Sequence, residues 1–200
     1  MSTQIKKMSL SQFMDFMVEN IVDTTETVRI SEGDATPREV LEELVNEIPE
    51  RGFCGRLSRY LTKNKRAIKS FESSFHKQQF ASLITSKNCV DTDYMAALYL
   101  LTADEATWRS VREFVGKEGI KYDEVITPSG DGYTLFCAAK DLTEGTKHIE
   151  FGDLSRLQVV KPSMFILLCK AIAISRFGVG AVGIKPKKPN EEVVIFKLAH

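Results

Sequence analysis

The sequence predicts a mainly α protein with a minor β component, folded as a multi-helix globular unit. Three observations carry that expectation. Apolar residues recur at i, i+3, i+4 and i+7 in one segment after another, the spacing of a helical face. Several segments open on a cap, as in Thr36-Pro37-Arg38-Glu39, where a hydroxyl and a glutamate three residues later serve free backbone N–H groups. The most apolar run, MFILLCKAIAI at 164–174, is well short of the about 20 residues of a membrane span. It reads as a helix buried on all sides.

Taken in order, Ser9 and Gln12 form a capping pattern. Leu10, Phe13, Met14, Met17 and Ile21 follow on one helical face. TTETVRI (24–30) is rich in β-branched residues and alternates, so it reads as a short strand. SEGDA after it is a turn. From Thr36 a helix carries Leu41, Leu44, Val45 and Ile48 inward and Glu42, Glu43 and Glu47 outward. Pro49 and Gly52 end it.

The segment 53–77 comes next. At about 100° per residue, Phe53, Leu57, Tyr60, Leu61, Ile68, Phe71 and Phe75 share an arc. It reads as one amphipathic helix, or two with a break near Asn64. Asp91 starts a helix with the stripe Tyr94, Met95, Leu98 and Leu101. Thr102-Ala103-Asp104-Glu105 reads as a capping box before Trp108, Val111 and Val115, and Gly119 stops that helix. YDEVITPSGDGY is an extended piece and a Gly-rich turn. TLFCAAKDLTEG matches both periods, but its alanines and Gly145 favour a helix. A buried helix at 163–177 ends at Arg176 and Gly178. GVGAVGIKPKKPNEE reads as a flexible tail, and VVIFKL (193–198) as a terminal strand. One unit over 1–200 is expected, with 1–88 and 89–200 as the alternative division.

Charge is balanced overall, with 27 basic and 27 acidic residues. That excludes the global basic excess usual in nucleic-acid-binding proteins. Locally it is uneven. Residues 1–50 hold eleven acids and four bases, and residues 51–80 hold eight bases and one acid. Arg56, Arg59, Lys63 and Arg66 follow at spacings of three, four and three, which keeps them on one helical side. Such a row can meet phosphates, and these four are the candidate nucleic-acid-binding residues. Alternatively, Glu39, Glu42, Glu43, Glu47 and Glu50 neutralise the row across an antiparallel helix pair. The second reading is favoured, because charged helix faces are usually solvated or paired.

The chemistry-bearing residues form no site pattern. Cys54, Cys89, Cys137 and Cys169 are separated by 35, 48 and 32 residues, with no CxxC pair. They read as free thiols in a reducing compartment, the cytoplasm. Gly178–Gly183 spells GxGxxG, but a helix precedes it and Pro186 follows, so it reads as a helix stop and linker. His76 is expected at a helix edge and His148 on the surface, with Glu150 near it but no third ligand. An enzyme using a cysteine or the His148 region would bring at least two of Cys137, His148, Glu150 and Asp153 together in a pocket. No catalytic residue, metal ligand or cofactor is assigned. The expected function is a non-catalytic intracellular interaction module, binding another protein or itself and not a membrane. A nucleic-acid-binding accessory protein and an enzyme of unrecognised type are the alternatives.

Three segments, YLLTADEATW (99–108), AAKDLTEGTKH (138–148) and AIAISRFG (171–178), resemble uncharacterised bacterial proteins, some carried by mobile genetic elements. The resemblance covers the C-terminal half. It implies a bacterial cytoplasmic origin and a mostly helical fold, and no particular activity.

Overall fold

The computed structural model describes residues 25–65, 68–87, 91–117 and 119–185. Nine α-helices occur among them: α1 (Thr25–Glu32), α2 (Pro37–Glu47), α3 (Arg51–Lys63), α4 (Ser74–Lys87), α5 (Thr92–Thr102), α6 (Glu105–Val111), α7 (Asp131–Glu144), α8 (Phe151–Leu154) and α9 (Pro162–Phe177). The β component within these residues is one isolated antiparallel bridge, Val115 to Ile120. The expected helix after Ser9 and strand at 193–198 lie outside the described residues.

Helices α5 and α9 form the centre. Every residue from Tyr94 to Thr102 is buried in α5, and every residue from Met164 to Ser175 in α9. This is what a helix without a polar face requires, and α7 and α9 both pack on α5. Each fully buried Leu, Ile or Phe contributes roughly 1.5–3 kcal/mol. The buried cluster runs from Ile30 to Val182 and includes residues on both sides of position 88. Phe80 of α4 and Tyr99 of α5 sit edge to face with centroids 5.5 Å apart. Among the described residues, no helix is long and apolar enough to cross a membrane.

Local chemistry sets most boundaries. Thr36 and Glu39 make the reciprocal cap of α2. Asp91 accepts from the N–H groups of Asp93 and Tyr94 to start α5. Gly145 ends α7 at φ 66°, a left-handed turn that favours glycine. The segment with two periodicities is therefore helical.

Several expectations need correction. Of the segment read as a strand at 24–30, the described residues, 25–30, belong to α1. β-propensity is weak without a partner strand, whereas helix α1 places Ile30 in the core and Arg29 3.6 Å from Glu39. The cap of α6 is Asp104 rather than Thr102. Asp104 accepts from the backbone N–H and hydroxyl of Thr107, while Thr102 stays in α5 and donates to the Leu98 carbonyl. The segment after Gly178 is packed, at least through Val182. It forms a 3₁₀ turn, Val179–Val182, buried against α1 and α9.

Gly180 makes that packing possible. A Cβ there would lie 2.2 Å from the Ile30 carbonyl oxygen and 2.3 Å from that of Ser31. Backbone cannot yield as a side chain does. Gly180→Ala is expected to lower unfolding free energy by about 1–3 kcal/mol in urea titration. Unchanged stability would show that α1 does not rest on this turn.

Candidate functional site

Helix α3 begins on a buried cap. The Glu50 carboxylate, 1% exposed, accepts from the Phe53 N–H. It ends at Asn64, whose N–H and side-chain amide both bond the Tyr60 carbonyl. Arg38 of α2 reaches over and donates to the carbonyls of Leu61 and Asn64. The basic stretch is thus broken near Asn64, and α4 starts anew at Ser74.

The candidate basic residues do not stay together. Arg56 is 4% exposed. Its guanidinium donates to the carbonyls of Leu154 at 2.8 Å, Arg156 at 3.2 Å and Val160 at 2.5 Å. It also stacks 4.2 Å from the centre of the Phe165 ring. Burial pulls its pKa below the ordinary guanidinium value. Arg59 and Lys63 are exposed, and Arg66 lies outside the described residues. The placing of Arg56 on the open basic row is therefore corrected. A helical wheel carries a signal of this, since Arg56 falls about 60° from Phe53, at the edge of the apolar arc.

The acids of α2 also find other partners. Glu39 caps its own helix, Glu42 pairs with Arg38 at 3.0 Å, and Glu43 accepts from Asn46. Glu47 faces Arg176 at 3.5 Å in a half-buried pair, where burial raises the carboxyl pKa. None of these pairs involves Arg59 or Lys63, so the expected face-to-face neutralisation of α3 by α2 is replaced.

Arg56 holds the turn after α8 against α3 and the start of α9. Beside it opens a groove of about 440 Å³. Helix α9 and the turn before it contribute Pro162, the buried Phe165 and Leu157 to its lining, and α3 contributes Arg59, Tyr60 and Lys63. Past Tyr60 and Asn64 it meets a second hollow of about 370 Å³ that contains Lys69, Glu72 and Lys170. The Lys170 ammonium, carried by the core helix, reaches Glu72 at 3.0 Å. Leu157 is 58% exposed and Val159 54%, although both are aliphatic. A larger hollow of about 780 Å³ is lined by charges of both signs, among them Glu113, Lys117, Lys121 and Glu124.

The other candidates are occupied with structure. Buried Asp141 accepts from the Thr146 hydroxyl and from the backbone N–H groups of His148 and Ile149; its Oδ1 also lies 2.8 Å from the His148 Nδ1. His148 itself is at the surface, as expected. Glu150 and Asp153 serve each other as the cap of α8. Cys137 and Cys169 are buried and Cys54 half-buried, and all three are free. Burial pushes each thiol pKa up, which disfavours a nucleophilic thiolate. Cys89 lies outside the described residues. Among the described residues no group of three or more His, Cys, Asp or Glu is placed to hold a metal ion.

Comparison with family models, curated proteins and solved structures yields no match. The functional reading therefore rests on the geometry of this chain.

His76 also departs from its expected place at a helix edge. It is fully buried, with ring centroids 5.1 Å from Phe71 and 4.5 Å from Tyr99. Its Nδ1 accepts from the Glu72 N–H, and its Nε2 has no hydrogen-bond partner. Burial lowers its pKa to about 4; the Tyr99 backbone acts the other way, and the nearby Lys170 charge lowers it further. The unfolded chain binds this proton near pH 6.5, before the folded chain does. Stability from the neutral ring is full above that pH and is lost as pH falls toward about 4. The loss is on the order of 3 kcal/mol. In urea titrations across that range, His76→Phe is expected to show a shallower fall than the native chain. Parallel curves would refute the assignment.

Proposed function

We propose that this protein is a non-catalytic interaction module that receives a protein partner in the groove between α3 and α9. The observation that carries the reading is Leu157, more than half exposed, which lines a hollow together with Pro162 beside the buried Phe165. Exposed aliphatic side chains beside an apolar concavity mark a surface that gains by being covered. Arg56 and the fixed turn keep that surface organised before any partner arrives, which reduces the ordering entropy lost on binding. The free thiols support a reducing, intracellular setting.

A nucleic-acid partner is the weaker reading. Arg56 is already bonded to three carbonyls, and aliphatic Leu157 and Val159 suit neither phosphates nor base edges. The test is a photo-crosslinking amino acid placed at Leu157 in cells, with the exposed Glu105 as control position. Discrete adducts at 157 that resist nuclease and yield to protease are expected. Nuclease-sensitive adducts, or a pattern equal to that at 105, would contradict the proposal.

A further inference from the structure

We infer that the partner enters this groove as a short acidic amphipathic segment, an apolar anchor side chain flanked by carboxylates. The inference rests on the docking reading above and adds the chemistry of the occupant.

Charge complementarity carries it. The chain is neutral overall, yet its cations and acids are unequally spent around the groove. Lys170 is answered by Glu72. Arg59 gives its Nε–H to the Gly55 carbonyl of its own helix, 2.9 Å away. Among the described residues no carboxylate pairs with Arg59, Lys63 or Lys69. Elsewhere Arg38, Arg109, Lys121, Lys140, Arg156, Lys161 and Lys185 each have an acid within about 3 Å, whereas among the described residues the exposed Arg51, Lys65, Lys77, Arg112, Lys117 and Lys147 have none; what sets Arg59 and Lys63 apart is the apolar hollow beside them. At this hollow, then, Arg59 and Lys63 stand beside apolar side chains with no carboxylate of the described residues to answer them.

The two sides ask for different things. The Leu157 and Pro162 side gains from an aliphatic or aromatic anchor, which supplies affinity once desolvated. The Arg59 and Lys63 side gains from carboxylates, which steer approach and fix orientation. The two cations are four residues apart on one helix, so a carboxylate pair one turn apart on the partner matches them. At about 440 Å³ the hollow suits a few side chains rather than the face of a folded domain.

The experiment is selection of a phage-displayed library of random peptides on the full chain. Recovered peptides are then titrated by fluorescence anisotropy at low and moderate salt. Three proteins are compared: the native chain, Arg59→Glu with Lys63→Glu, and Leu157→Asp. All changes fall on exposed side chains. The expected peptides are rich in Asp and Glu around a large apolar residue. Charge reversal and added salt each weaken them about tenfold or more, and Leu157→Asp weakens them too. If the peptides lack acids and ignore charge reversal but lose binding in Leu157→Asp, the acidic occupant is overturned and the groove stands. If binding ignores both variants, or no peptide is recovered, the groove as a docking site falls with it.

Discussion

A buried guanidinium holds the turn after α8 in place against α3 and α9. Taking Arg56 out of water costs several kcal/mol. Hydrogen bonds from a charged group return about 1.5–3 kcal/mol each, and Arg56 makes three. Its stack on Phe165 adds about 2 kcal/mol when desolvated. Other features of α3 favour the same docking. Gly52, one turn before Arg56, leaves room for Ser155, whose Cβ would lie 2.8 Å from a Cβ at 52. Phe53 packs its ring on Phe151 and Phe165 at centroid distances of 5.2 and 5.5 Å. A small residue, an aromatic ring and a cation, all within five positions of α3, fasten a loop about a hundred residues away. That loop carries Leu157 and Val159 to solvent, and the groove opens beside it.

What could be read from the chain alone follows from the range of each interaction. The cap at Thr36, the stop at Gly145 and the full burial of α9 depend on residues within a turn or on one helix's composition. Arg56 could not be placed that way. Its spacing to Arg59 and Lys63 describes a helix face, but the carbonyls that claim it are 98 to 104 residues on. Gly180 is the same case, since letters suggest a linker until α1 arrives against it. His76 was misplaced because Phe71 and Tyr99, which enclose it, belong to a loop and to another helix. Thr102 lost the cap to Asp104 because α5 runs to the end of its buried stripe.

The charge pattern had two layers of meaning. Its sum suggested compensation between α2 and α3, and the acids are indeed largely spent, but on other groups. Glu50 caps α3, Glu47 meets Arg176, and Glu42 meets Arg38. Arg38 then supplies the link between the two helices by holding the carbonyls at the end of α3. Arg59, Lys63 and Lys69 are among the exposed cations of the basic stretch that no acid of α2 meets. The acids of α2 and the buried arginine thus serve the fold, and Arg59 and Lys63 stay exposed at the groove.

The most direct measurement is native-state hydrogen exchange on Arg56→Lys, read by mass spectrometry against the native chain. Lysine keeps the charge but lacks the planar fork that reaches several carbonyls at once. If Arg56 organises the groove, amides at 155–161 exchange faster, well beyond any shift in α5 and α9. Equal protection at 155–161 in both proteins, or a uniform rise along the chain, would mean that the turn is held by something else.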